Sequence, residues 1–167
     1  IRDHILEKTD LPVVCAHEIS GALGFYERTV TAVLNGQLVP ILSRLIWDTR
    51  VMLKDRHIDA PVMIVKGDGT FISAEAAKGR PIDTLLSGPA ASVTGAMFLS
   101  DSDNAVCADM GGTTTDIACL DHGKVKVSEE GALVAGWRTR VRAIDIYTKG
   151  LGGDSIIELD DEGGIHI

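Results

Sequence analysis

The chain's 167 residues are 45% hydrophobic and 24% charged, which suits one ordinary globular domain or two small lobes and excludes disordered and fibrous classes. The formal net charge is −8 and the lysines and arginines are scattered, so no basic face predicts a nucleic-acid partner. No apolar run approaches the ~20 residues of a membrane helix and no signal peptide opens the sequence, so we predict a cytoplasmic protein without a membrane partner.

The cysteines and histidines do not form a recognisable site. Cys15, Cys107 and Cys119 are odd in number, far apart and set in apolar runs, which predicts reduced, buried thiols that serve in packing. The five histidines are isolated, without the short spacing of a metal-binding pair. The sequence starts without Met and stops just after an apolar run typical of the beginning of a strand, so we expect it to be a piece of a longer protein.

Residues 1–60 predict a mainly helical segment that packs on the remainder of the chain. Ile1–Lys8 is predicted as the end of a helix, and Leu11–Ile19 has the β-branched residues of a short strand. From Ser20 onward apolar residues recur at helical spacing, and the pattern continues beyond Pro40. Because proline interrupts helical hydrogen bonding, the pattern predicts either two helices or one helix kinked there.

From Ala60 onward the periodicity changes to that of strands, and residues 61–167 predict a partial α/β lobe. An apolar strand at Val62–Val65 is followed by a glycine turn, a second short strand and a brief helix that Ser73 can cap. A further helix is predicted from Ser87, which stands at the N-cap position. Its small residues favour close packing against a strand or another helix.

The remaining predicted strands follow in hairpin order. Asn104–Ala108 is a short apolar strand, the loop DMGGTTTD comes next, and the run IACL is a second strand. Beyond a tight turn at 121–124, VKVSEEGALV continues as a third strand, and Arg140–Thr148 alternates as a further one. The glycines from Gly150 onward predict a turn into a helix. The pattern indicates an α/β or α+β unit that begins with a meander.

The loop between Asp109 and Asp116 has the composition of a phosphate-binding site. Glycine lacks Cβ, so the backbone can turn sharply and direct several N–H groups toward one anion. The candidate donors are the glycine backbone and the threonine hydroxyls of Gly111, Gly112, Thr113, Thr114 and Thr115. Two carboxylates beside a phosphate repel it unless a divalent cation lies between them, so Asp109 and Asp116 argue for Mg²⁺ held mostly through water.

The alternative is a plain β-hairpin with a Gly-Gly turn, in which aspartate and threonine are ordinary turn residues. A hairpin does not need carboxylates at both ends with three threonines between them, but the residues alone leave both interpretations open. The loop is not a Walker A motif, because GKT or GKS is absent, and it is not GxGxxG.

The loop pattern DxGGTxTD, with a predicted strand on each side, resembles the second phosphate-binding hairpin of the superfamily of actin, sugar kinases and heat-shock chaperone ATPases. In that superfamily, paired ribonuclease H-like domains enclose a nucleotide. Three segments in order, YERTVTAVLNGQLVP, TLLSGPAASVTGA and DMGGTTTDIACL, are more narrowly similar to the hydantoinase and 5-oxoprolinase family, also called hydantoin utilization protein A. The resemblance extends over about Tyr26 to Ser155. It implies an incomplete ribonuclease H-like, actin-like ATPase domain preceded by a helical segment.

Members of that family use ATP to open cyclic amides such as hydantoins and 5-oxoproline by phosphorylating a carbonyl oxygen, and relatives are subunits of ATP-dependent ketone carboxylases. The resemblance therefore implies ATP and Mg²⁺ as cofactors, with Gly111–Thr113 at the phosphates and Asp109 anchoring the water-bound metal. It gives Thr115 and Asp116 the weaker role of bracing the loop or contacting the metal shell. A non-enzymatic actin-like or chaperone-like ATP-binding module is the alternative.

Gly152 and Gly153 match a glycine-rich turn of the family and are carried over as cofactor-binding residues. The next residue, Asp154, stands where the family more often has glycine. The family's first phosphate loop is absent before residue 109, so we expect the rest of the same polypeptide to complete the site and this chain alone to be inactive. The implied partners are a cyclic amide or ketone substrate and a separately encoded hydantoinase-type subunit. No catalytic residue can be assigned.

Overall fold

The fold is a mixture of helices and small antiparallel sheets, as predicted. The computed structural model describes residues 1–9, 11–100, 102–161 and 164–166. Its helices are α1 (Arg2–Lys8), α2 (Ala16–Ile19), α3 (Phe25–Asp55), α4 (Ala74–Gly79) and α5 (Ser87–Leu99), with a 3₁₀ turn at Pro81–Thr84. Its strands are β1 (Met63–Val65), β2 (Phe71–Ser73), β3 (Ala105–Met110), β4 (Thr115–Asp121), β5 (Lys124–Val125), β6 (Leu133–Val134), β7 (Trp137–Arg138), β8 (Ile146–Lys149), β9 (Glu158–Leu159) and β10 (Ile165–His166).

The longest element, α3, is one helix that continues through Pro40. Buried polar side chains attach it to distant parts of the chain. The Asn35 amide nitrogen donates to the Gly79 carbonyl and its oxygen accepts from the Ile82 N–H, both at 3.2 Å. The Thr31 hydroxyl accepts from the Arg140 N–H at 2.9 Å. Because these bonds satisfy buried backbone groups, they fix where α3 lies against the rest of the chain.

By length and composition, α3 is apolar enough to cross a membrane. This corrects the sequence-based expectation that no apolar run approaches the length of a membrane helix. Core helices of soluble proteins meet the same two criteria, and 22% of its most apolar window is buried here. Leu42 and Ile46 pack against Ala74 and Ala77 of α4. The polar and apolar contacts together make α3 a packed helix of this domain.

The segment Leu11–Ile19, predicted as a strand, is instead extended only to Cys15 and then turns through α2. Ile19 at the end of α2 is buried with Ile82 and Val141. This contact with distant residues explains the difference, since the β-branched residues find a core neighbour without a strand partner.

The predicted strand, turn and strand after residue 61 are present as β1 and β2, which pair antiparallel. The Ser73 hydroxyl accepts from the Ala76 N–H at 3.3 Å, so the predicted cap of α4 is confirmed. Ser87 does not cap α5 as predicted: it is the first helical residue, and Leu86 precedes it in the left-handed conformation with φ of 60°.

The central sheet has the order β3-β4-β5, with β8 pairing on β4. The predicted packing of the small-residue helix on strands is observed on one face of this sheet. The residues that form this core are Ala90 and Val93 from α5, Ala118 and Leu120 from β4, and Ile144. Cys107 of β3 packs against their edge.

The opposite face of the central sheet is apolar and uncovered by the described residues. Val106, Met110 and Tyr147 are all more than half exposed on it. Cys119 is exposed on the same face, whereas Cys15 and Cys107 are only partly buried. The three thiols are free, but the prediction that they are buried is wrong, because strand alternation places Cys119 opposite the α5 face.

Two predicted elements after residue 120 differ from the prediction. The third strand is interrupted: β5 ends at Val125, Val127 forms an isolated bridge with Ile144, and Leu133–Val134 form β6, which pairs with β7. Between them the chain turns at Gly131, which has φ of 86° and whose backbone approaches that of Thr139. The helix predicted after Gly150 is absent from residues 150–161, where Ile156 and Ile157 are exposed before β9. Adjacent β-branched residues disfavour a helix.

Candidate functional site

The loop singled out from the sequence connects β3 to β4, and we call Asp109–Asp116 the glycine-threonine hairpin. The strands pair in a register that places Met110 opposite Thr115 and Asp109 opposite Asp116. The Gly111 N–H donates to the Thr114 carbonyl at 2.9 Å and closes the base of the loop. The predicted hairpin is therefore present, and its register decides which side chains share a face.

A second segment, Gly152–Ser155, lies directly against this loop, and we call it the glycine turn. The Gly153 N–H donates to the Gly111 carbonyl at 2.9 Å, and the Asp154 N–H donates to the Gly112 carbonyl at 2.8 Å. The Ser155 hydroxyl accepts from the Gly152 N–H at 3.0 Å and so stabilises the turn itself. Segments about 40 residues apart in sequence thus form one bonded unit.

Only glycine fits at position 152, because the two segments approach each other closely there. A Cβ at Gly152 would lie 2.4 Å from the Gly112 carbonyl oxygen and 2.6 Å from the Thr113 nitrogen. A Cβ at Gly112 would lie 2.6 Å from the Asp154 carboxylate. Glycine at 152 therefore allows the close approach of two backbones, and glycine at 112 leaves room for the Asp154 side chain.

The carbonyls of Gly111, Gly112 and Thr114 accept hydrogen bonds, but three N–H groups of the loop donate to no described residue. Among the described residues, the N–H groups of Gly112, Thr113 and Thr114 donate to no protein acceptor. The hydroxyls of Thr113 and Thr114 also have no partner within the described chain, and residues 111–114 are all exposed. Successive free N–H groups at a turn whose carbonyls point elsewhere are the arrangement that binds anions.

Asp109 and Asp116 are cross-strand partners, so their side chains lie on one face of the sheet. Two negative charges directly opposite each other are destabilising unless something neutralises them. The Asp116 carboxylate accepts from the Thr148 hydroxyl at 2.5 Å, and Thr148 is the β8 partner of Asp116. Asp109 is exposed.

Thr115 has a different position from the other two threonines. It is buried, and its hydroxyl donates to the Leu151 carbonyl at 2.5 Å. Since that proton is already used, Thr115 connects the hairpin to the residue before the glycine turn. This position agrees with a bracing role.

Sequence reasoning missed two residues that complete this arrangement. Thr148 orients Asp116, and Asp154 contributes both an N–H group and a carboxylate beside Gly112. The start of α5 is also near, because Leu86 and Thr148 line a common cavity of about 320 Å³. The available signal was the position of Thr148 just before the glycine-rich run of 150–153.

The two carboxylates fit a magnesium ion that keeps several of its water ligands. Within the described ranges, no three histidine, cysteine, aspartate or glutamate side chains converge to hold a metal. Asp109 has both carboxylate oxygens free of hydrogen bonds in the described chain, and Asp116 has one oxygen engaged by Thr148. Two carboxylates suit Mg²⁺, which keeps several waters and takes its other ligands from phosphate.

These features define a class of domain: a helix-and-sheet unit that exposes a glycine and threonine hairpin with paired carboxylates. Residues 28–166, most of the chain, match the family model described as hydantoinase/oxoprolinase. The chain belongs to the hydantoinase/oxoprolinase family, and the resemblance seen in its sequence is confirmed.

Two curated relatives show the range of this family. The chain is 28% identical over 161 residues to the caprolactamase subunit alpha of Pseudomonas jessenii, covering 95% of this chain and 23% of that protein. It is 28% identical over 156 residues to the acetophenone carboxylase gamma subunit of Aromatoleum aromaticum, covering 92% of this chain and 21% of that protein. The chain thus spans less than a quarter of the length of these relatives.

Two solved structures share the fold. The ATP-dependent caprolactamase from Pseudomonas jessenii superposes with a TM-score of 0.77 at 27% identity, over 94% of this chain and 23% of that one. Nucleotide-free acetone carboxylase, an enzyme of ATP-dependent acetone carboxylation, superposes with a TM-score of 0.73 at 25% identity, over 99% of this chain and 24% of that one. Both structures support the mixed α/β architecture described above.

Proposed function

We propose that this chain supplies part of the ATP site of an enzyme that opens cyclic amides of the hydantoin, 5-oxoproline or lactam type by phosphorylating the amide carbonyl oxygen. The proposal places the nucleotide phosphates at the glycine-threonine hairpin. It also takes the domain as one incomplete lobe of a ribonuclease H-like ATPase in a cytoplasmic protein without membrane contact. The rest of the polypeptide and a second hydantoinase-type subunit complete the enzyme.

The observation that carries the proposal is the set of three consecutive N–H groups, from Gly112 to Thr114, that donate to nothing in the described protein. The glycine turn engages the Gly111 and Gly112 carbonyls, so the three N–H groups and two threonine hydroxyls remain for an anion. A triphosphate uses such donors more fully than a single carboxylate does, because it carries several negatively charged oxygens. The ATP dependence of both structural relatives supports that choice.

Asp109 and Asp116 are the residues that would hold Mg²⁺ through water, with Thr148 fixing the orientation of Asp116. When bound, the metal neutralises charge on the phosphates and orients the transferring phosphoryl group. The chain's own contribution is to keep the two carboxylates in register across β3 and β4, and to keep the loop N–H groups fixed by the bonds from Gly153 and Asp154. Positioning and electrostatic stabilisation are the main tasks in phosphoryl transfer.

The second candidate is a subunit of an ATP-dependent ketone carboxylase, in which the phosphorylated atom is an enol oxygen. The similarity to the acetophenone carboxylase gamma subunit and to acetone carboxylase favours it specifically. The phosphate-binding half of the site is the same in both proposals, which differ in the substrate that is phosphorylated.

The test is ATP hydrolysis by the full-length protein, together with its second subunit, against a panel of hydantoins, 5-oxoproline, lactams, and ketones with bicarbonate. Stimulation by a cyclic amide supports the first proposal, and stimulation by a ketone with bicarbonate supports the second. Asp109→Asn should reduce the stimulated rate by about 10²-fold or more, because a misplaced metal and phosphate lose transition-state stabilisation.

Asp121→Asn is the matched control, since Asp121 is an exposed aspartate at the far end of the same hairpin strand β4. It should leave the rate and the melting temperature unchanged. Wild-type ATP hydrolysis in Asp109→Asn would contradict the metal role. An equal loss in both variants would show that the effect is not specific to the site.

A further inference from the structure

A second charged cavity lies elsewhere on the domain and takes no part in the proposed ATP site. It has a volume of about 290 Å³, and its lining residues are Ile19, Ser20, Gly21, Lys66, Asp68, Arg80, Asp83, Arg140, Val141 and Arg142. None of its lining residues belongs to the glycine-threonine hairpin or the glycine turn. We call it the arginine cavity.

The walls of the arginine cavity are held by bonds that do not involve a ligand. The Gly67 N–H donates to the Asp83 carbonyl at 2.8 Å, and the Ile144 N–H donates to the Gly67 carbonyl at 2.7 Å. A Cβ at Gly67 would lie 2.0 Å from the Leu85 carbonyl oxygen, so only glycine fits there. These contacts make the loop a fixed part of the fold.

Two of the four cations in the walls are already neutralised. Arg80 forms a forked pair with Asp83 at 2.9 and 3.3 Å and donates to the carbonyls of Glu18 and Ile19. Lys66 lies 3.3 Å from Asp68, and both side chains are mostly buried. These pairs shape the cavity and leave little donor capacity for anything else.

The other two cations, Arg140 and Arg142, retain donors without a hydrogen bond. The Arg140 guanidinium forms an ion pair with Glu27 at 3.7 Å, longer than a hydrogen bond, and its buried Nε has no partner within the described chain. Arg142 is exposed and forms no ion pair with any described residue. Guanidinium donors without a close acceptor favour an outside acceptor at Arg142 and at the accessible part of Arg140, which is about one-third exposed.

The lining thus holds four cationic side chains against two carboxylates. Guanidinium groups match the planar, two-oxygen geometry of carboxylate and phosphate better than any other side chain. The volume suits a small molecule or a single anionic group. We propose that the arginine cavity binds a small oxyanion, a carboxylate or phosphate group, through the guanidinium groups of Arg140 and Arg142.

The test is calorimetric titration of the full-length protein with two probes, inorganic phosphate and succinate. The probe that binds identifies the source of the oxyanion. We expect Arg142→Gln to weaken binding of that probe at least tenfold, which corresponds to about 1.4 kcal/mol. Arg140→Gln should act in the same direction. Arg44→Gln, at an exposed position of α3 outside the cavity, should bind as the wild type does.

Arg142 is exposed, so its replacement should leave the melting temperature unchanged, and this measurement separates a binding effect from unfolding. Phosphate that still binds with full affinity in Arg142→Gln and Arg140→Gln belongs to the glycine-threonine hairpin and overturns the proposal for phosphate. Flat titrations with both probes overturn it altogether, and a segment of the longer polypeptide that already fills the cavity gives that result. Equal weakening in Arg44→Gln also overturns it.

Discussion

Replacing Gly152 by alanine is the most direct perturbation of the contact between the glycine turn and the glycine-threonine hairpin. The new Cβ would lie 2.4 Å from the Gly112 carbonyl oxygen and 2.5 Å from its carbonyl carbon. These are backbone atoms, which cannot rotate away as the end of a side chain can. The two segments must therefore separate by about 1 Å to restore ordinary contact distances.

This displacement breaks the two backbone hydrogen bonds that join the segments, from Gly153 to Gly111 and from Asp154 to Gly112. At about 0.5–1.5 kcal/mol net for each bond, the expected loss in free energy of unfolding is about 1–3 kcal/mol. For a domain of this size each kcal/mol lowers the melting temperature by about 2–4 °C. A shift of about 1 Å in the loop N–H groups should also lower substrate-stimulated ATP hydrolysis by about 10²-fold.

Gly153→Ala is the matched control, because a Cβ there meets its nearest atom, the Gly111 oxygen, at 3.8 Å. Urea unfolding and ATP hydrolysis should be measured for both variants and the wild-type full-length protein. We expect Gly153→Ala to remain within about 0.5 kcal/mol of the wild type. If Gly152→Ala matched Gly153→Ala in both assays, the close contact would not be what shapes the loop.

Three further changes test the fold. Asn35→Leu should destabilise by about 1–3 kcal/mol for each of the two buried backbone groups left without a partner, measured by urea unfolding; an unchanged midpoint would refute the bonding role. Gly95→Ala should stabilise by about 0.5–1 kcal/mol, since a Cβ there meets nothing within 4 Å and alanine is the better helix former; a lower melting temperature would contradict this. The pKa of Asp68 lies below its usual 3.8, because hydrogen bonds from Thr70 and Lys66 outweigh the opposing effect of burial. Its stabilising contribution is therefore present above about pH 4 and lost as the pH falls through the lowered pKa, so the unfolding free energies of the wild type and Asp68→Asn should converge in acid; a constant difference down to pH 2 would refute it.

Much of the candidate site could be predicted from the sequence because its determinants are local. Glycines, threonines and aspartates between two apolar runs specify a hairpin and its exposed donors within eight residues. The same locality made the cap at Ser73 predictable. Elements whose conformation depends on short-range chemistry are those that a sequence pattern describes best.

The errors have a common physical origin in contacts between distant residues. Leu11–Ile19 turns through α2 because Ile19 finds Ile82 and Val141 in the core. The predicted third strand is interrupted at Gly131, where the backbone meets that of Thr139. Thr148 was missed because its role exists only once β8 pairs beside Asp116. Hydrophobic periodicity predicts whether a residue is buried, but it does not predict which distant residue it contacts.

In the glycine-threonine hairpin, the groups that determine the backbone shape are different from the side chains that remain free to donate hydrogen bonds. The shape of the loop follows from its glycine backbones and from the bonds to the glycine turn, whereas the side chains of Thr113 and Thr114 bond to nothing else in the described protein. These two positions can therefore change without reshaping the backbone beneath them. In the proposed ATP site, substitutions at these two positions would alter the hydroxyl donors and leave the backbone N–H groups in place.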